Sequence, residues 1–119
     1  KLYEKAYDLV YNKKFDKSIK LLEKIAKRKD LGEKKADVYN LLGFSYRKHN
    51  EPNLDKAFDS YRIALEANPE HLGAHEYLGE LYITLGNIDK ANEMLLNLEK
   101  IAGTKTMEYT KLKKAIDNS

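Results

Sequence analysis

Residues 36–69 read ADVYNLLGFSYRKHNEPNLDKAFDSYRIALEANP, and two strings inside this stretch occur more than once in the chain. The first, Tyr39-x2-Leu42-Gly43-x2-Tyr46, returns 36 residues later as His75-x2-Leu78-Gly79-x2-Tyr82. The second, Leu54-Asp55-Lys56-Ala57, returns 34 residues later as Ile88-Asp89-Lys90-Ala91 and stands 39 residues earlier as Phe15-Asp16-Lys17-Ser18. After each small residue the apolar series runs on as Ser18, Leu22, Ile25, then Ala57, Tyr61, Ala64, then Ala91, Leu95, Leu98. Steps of four and three follow one stripe of a helix. The unequal intervals have a local cause: residues 33–35 are a polar insertion, and two extra residues fall within 50–53. Removing both restores a period of 34. A fixed period of this size marks a repeated supersecondary unit that buries its apolar face against its neighbours.

Each unit reads as two antiparallel helices. Facing positions must be small where helices approach closely, and Gly43 and Gly79 on the first helix and Ala57 and Ala91 on the second meet that need. A glycine inside a helix costs about 1 kcal/mol relative to alanine, so its placement points to a packing reason. The repeated Asp opens each second helix, where a carboxylate accepts orphan N–H groups or favours the positive end of the dipole. Residues 50–53 and Gly86-Asn87 supply turns, and Asn68-Pro69 ends a helix, because the residue before proline resists the helical region. The first unit is weaker, with Leu2, Ala6 and Leu9 where later units carry an aromatic, Gly and Tyr. Near the C-terminus Tyr109, Leu112 and Ile116 keep the register, but Lys113 replaces the glycine and obstructs any following helix.

Composition agrees with a single all-α domain of 119 residues. Hydrophobic residues make up 42% and charged residues 34%, with 22 basic against 19 acidic side chains and a formal charge of +3. That balance does not announce a nucleic-acid or membrane-surface binder. No apolar run reaches the roughly 18 residues of a membrane span, and membrane insertion is not expected. Cysteine is absent, which excludes disulfides and thiol chemistry. The first residue is Lys1 and not Met, so a removed targeting segment is one expectation, with the compartment left open.

The order Tyr39, Leu42-Gly43, Tyr46, Ala57, Tyr61, Ala64, Pro69 resembles the tetratricopeptide (TPR) signature. The resemblance implies a right-handed α-solenoid of three TPR hairpins plus a capping helix. The expected bounds are repeat one 1–32, insertion 33–35, repeat two 36–71, repeat three 72–103 and capping helix 104–118. The strings YNLLGFSYRK, NPEHLGAHEYLGELY and EYTKLKKAI are also similar to a set of small exported bacterial TPR proteins. That likeness implies a periplasmic or exported location, although Ala102 and Thr106 stand where such proteins often carry two cysteines.

In such an array the first helices line an inner curve suited to a peptide or partner helix. The inward candidates are Tyr3, Tyr7 and Tyr11, then Asn40, Phe44, Arg47 and Lys48, then Glu76, Glu80 and Ile83. Tyr3, Tyr7 and Phe44 are the expected anchors; Arg47 grips a carboxylate, and Glu76 with Glu80 favours a positive group. The expected function is a protein-binding scaffold. Self-association through the ends of the stack is the alternative, and nucleic-acid binding along Lys17, Lys20, Lys24 and Lys27 a more distant one. Some family members hold the C-terminal carboxylate of chaperones through Lys and Asn. Here Tyr3, Tyr7, Leu41, Gly73 and Tyr77 occupy those places, so that clamp is absent.

Nothing in the sequence assembles an enzyme or calls for a cofactor. His71 and His75 have the spacing of two metal ligands on a helix, but no cysteine or further histidine completes a tetrahedral set. Glu76 and Glu80 lack a companion nucleophile and an apolar pocket to shift their pKa, so a solvated or peptide-facing surface is expected. Residues 103–106, Gly-Thr-Lys-Thr, lack the upstream glycine and preceding strand of a phosphate loop and read as a loop and cap. Of the nine tyrosines, Tyr39, Tyr46, Tyr61, Tyr82 and Tyr109 fall on packing positions and read as core rather than as base-stacking platforms.

Overall fold

A computed structural model describes residues 1–119, and it is all-helical. Seven helices follow in order: α1 (Leu2–Tyr11), α2 (Phe15–Ala26), α3 (Lys34–Lys48), α4 (Leu54–Ala67), α5 (Leu72–Thr84), α6 (Ile88–Ala102) and α7 (Met107–Asp117). They form two compact units, Lys1–Pro69 and Glu70–Ser119. No helix is long and apolar enough to cross a membrane.

In the first unit each helix packs on the next, α1 on α2, α2 on α3 and α3 on α4, and α1 also touches α3. Small residues occupy the contacts: Ala6, Ser18, Ser45, Ala57 and Ala64 are fully buried. The Ser18 hydroxyl donates to Ser45 Oγ at 2.9 Å, and Ser45 donates to the Leu41 carbonyl at 3.0 Å. This chain joins α2 to α3 and leaves neither buried hydroxyl unsatisfied. Tyr46 donates its phenol to the Glu23 carboxylate across the same pair of helices. Burial, then that carboxylate, pushes the phenol's pKa well above its usual value. In the second unit α5 packs on α6, and α7 lies against both.

The glycines admit large side chains, which corrects the expectation that they face alanines. A Cβ on Gly43 would lie 2.7 Å from Cε1 of Tyr61, a ring on α4 that is wholly buried. One on Gly79 would lie 2.6 Å from Cδ2 of Leu112, which belongs to α7 and not to α6. Tyr46 and Tyr61 are buried as the packing reading requires, whereas Tyr39, Tyr82 and Tyr109 are half-buried.

The helix starts decide between the two roles expected of the repeated Asp. The first-turn aspartates are not the caps. Asn53 accepts the Lys56 N–H at 3.0 Å, and Asn87 accepts the Lys90 N–H at 3.2 Å. Asp55 and Asp89 sit two residues further on, where they complement the helix dipole. His71 Nδ1 caps α5 through the Ala74 N–H at 3.0 Å, and Thr106 caps α7 through the Tyr109 N–H at 3.1 Å. Lys34 and Lys35, read as insertion, form the first turn of α3.

The chain crosses from α1 to α2 and from α5 to α6 by the same turn. Gly86 N–H donates to the Ile83 carbonyl at 2.9 Å and Asn87 N–H to Tyr82 at 2.8 Å; Lys13 donates to Val10 at 2.9 Å and Lys14 to Leu9 at 2.8 Å. Gly86 has φ 79° and Lys13 has φ 58°, so the first turn places a lysine in the left-handed region that glycine fills without cost.

Gly43→Ala gains about 1 kcal/mol of helix propensity. It must also displace a buried ring, and overpacking of that kind typically costs about 1–3 kcal/mol. The expected result in thermal circular dichroism is a lowered midpoint, with a smaller loss for Gly79→Ala because the end of Leu112 can rotate. A raised midpoint for Gly43→Ala would show that the ring does not hold this position.

Candidate functional site

The first unit gathers aromatic and basic side chains from three segments. Phe15, the first residue of α2, meets Phe44 of α3 with ring centroids 6.4 Å apart and planes tilted by 60°. Arg47 and Lys48 in the last turn of α3 lie over the Phe44 ring, the guanidinium carbon at 5.6 Å and the ammonium at 5.9 Å. These are cation–π distances. The Arg47 Nε also reaches the Tyr61 hydroxyl at 3.4 Å, which ties the guanidinium to α4.

Beside this stack lies an open cavity of about 250 Å³, with Lys13, Lys14, Phe15, Lys17 and His49 among its lining residues. His49 pairs with Asp16, also at its wall. The hydrogen bond to that carboxylate holds the imidazole pKa above its ordinary value, against a smaller opposing desolvation. Two basic strings far apart in sequence, Lys13-Lys14 with Lys17 and Arg47-Lys48-His49, thereby share one surface. Lysines 17, 20, 24 and 27 are all exposed, but of these Lys17 alone lines that cavity.

The remaining candidates in the first unit have different settings. Tyr7 and Tyr11 project from α1 and are 54% and 79% exposed. Tyr3 is half-buried, with the Lys34 ammonium 5.5 Å above its ring, in a second cavity at the α1 N-terminus that includes Arg28 and Leu31. Asn40 is half-buried, and its side-chain oxygen is shielded from solvent without a hydrogen-bond partner.

In the second unit Ile83 is half-buried on α5. Glu76 departs from the expectation of a solvated carboxylate, since only 6% of it is exposed. Burial is the largest influence on its titration, followed by a hydrogen bond and repulsion from Glu80; Lys111 of α7 opposes the shift, and Glu108 adds to it. Together they push the Glu76 pKa up to about 8. The hydrogen bond and the repulsion from Glu80 both favour the protonated form of Glu76. The register of Leu112 announces a helix here, but not that its Glu108 and Lys111 come to act on Glu76.

His75 is buried at the bulky position of its string, and His71 is occupied as a cap, which leaves the two imidazoles in different roles. No family model matches the chain, and no curated protein matches it.

The Glu76 shift fixes the sign of a pH effect. Its folded pKa lies above the ordinary 4.5, so its contribution to stability is complete below about pH 4.5 and is lost as pH rises through about 8. The thermal midpoint of the wild-type chain is expected to fall more steeply between pH 5 and pH 9 than that of Glu76→Gln, which keeps the donor and removes the titration. Parallel slopes for the two proteins would contradict the assignment.

Proposed function

We propose that the chain is a TPR-type scaffold that binds a segment of a partner protein on the face built from α1 and α3. The observation that carries this reading is the set of large side chains those touching helices present: Tyr7 and Tyr11 exposed on α1, and Phe44 under Arg47 and Lys48 on α3. Aromatic rings and arginine concentrate binding energy in protein interfaces. Displayed on packed helices rather than loops, they lose little freedom when a partner arrives.

The finer architecture, a right-handed solenoid of three helix pairs and a terminal cap, belongs to the same reading. Its support is the 34-residue period, the shared turn geometry of the first and third pairs, and the seat of Leu112 over Gly79. A binding role of this kind involves no reaction.

Affinity capture from a cell extract tests the face. Tyr7→Ala combined with Phe44→Ala removes two anchors, of which Tyr7 is exposed and Phe44 half-buried. A specifically captured protein is expected to be lost with helicity retained, and undiminished capture by the double variant would remove α1 and α3 from the binding surface.

A further inference from the structure

We infer that the patch around the Phe15–Phe44 pair is the seat for an acidic polypeptide segment, whose carboxylates meet Lys13, Lys14, Lys17 and Lys48 while an apolar side chain packs against the Phe15 ring. This names the partner chemistry of the scaffold reading above and rests on it.

The first support is charge. Residues 1–69 hold sixteen of the 22 basic side chains and eleven of the 19 acidic ones, so the first unit is positive while the remainder of the chain is slightly negative. Within the patch the excess is sharper, because Asp16 is engaged by His49 and five cations surround the two rings.

The second support is a comparison of the chain with itself. Lys14 adopts φ −92° and ψ 70° at the start of α2, close to φ −102° and ψ 78° for Asn87 at the start of α6 and to φ −107° and ψ 89° for Asn53 before α4. Both asparagines cap their helices, and Lys14 makes no side-chain cap. One residue earlier, Lys13 holds the left-handed conformation that Gly86 fills in the third pair. At two adjacent positions the first pair therefore forgoes the residue its backbone favours and carries a lysine instead. Departures from local preference gather where a side chain serves binding.

An acidic peptide fits better than a nucleic acid. The two rings are tilted against each other and Phe44 is covered by two cations, so the pair does not offer the successive open faces on which neighbouring bases stack.

Fluorescence anisotropy on the full chain decides the matter. The probes are a short labelled peptide of glutamates around a central leucine pair, its counterpart with lysines, and a single-stranded oligothymidylate. The glutamate peptide is expected to bind most tightly, with affinity that falls as ionic strength rises. The Lys13→Gly/Lys14→Asn double variant is expected to raise the thermal midpoint, since it relieves the strained turn and restores a cap. The same variant should weaken the glutamate peptide by about tenfold or more through loss of two favourable charges. Equal binding of the two peptides, tighter binding of the oligonucleotide, or full affinity in the stabilised variant would overturn the inference. A basic protein captured through Tyr7 and Phe44 would also overturn it while leaving the scaffold reading intact.

Discussion

The contact between Gly43 and the Tyr61 ring, with its counterpart between Gly79 and Leu112, sets the separation of the helices in each unit. A side chain at either glycine would have to push a fully buried group aside, and interiors packed at crystal-like density yield little. Much else follows from the approach these glycines permit. Arg47 Nε comes within reach of the Tyr61 hydroxyl in the first unit, and Glu76 lies in the field of Glu108 and Lys111 in the second. A bulky residue that admits its neighbour only at the expense of a glycine is also selective, since it fixes which turn of one helix lies over which turn of the other.

Much of this was legible along the chain. Apolar steps of three and four located every helix, Pro69 and Gly86 marked two of the boundaries, and Leu112 disclosed α7 by keeping the register of Leu78. These signals are local and repeated, so each occurrence supports the others. The identity of the caps was not legible from the Asp-Lys motif alone. Asparagine stands two residues before aspartate in both later pairs, and only the backbone shows which oxygen reaches the N–H three residues on.

The features least visible in the sequence are those made by return of the chain. Glu76 and Glu80 look like an exposed pair at one-turn spacing until α7 folds over α5 and takes water from one of them. Lys13-Lys14 and Arg47-Lys48 look like separate charge runs until the Phe15–Phe44 contact makes them one surface. Charge on a helix face says little about function by itself; its meaning depends on which other segment arrives beside it.

The buried hydroxyl bridge between Ser18 and Ser45 bears on alignment more than on strength. One hydrogen bond adds only about 1 kcal/mol to a folded chain. Sliding α2 along α3 by a single turn would break the Ser18–Ser45 bond and leave each hydroxyl only the carbonyl of its own helix, Phe15 or Leu41, while alanines at the same two places would lose nothing in the slip. The serines thus act as a positional key for the two helices, and the placement of Phe15 against Phe44 inherits its accuracy from them.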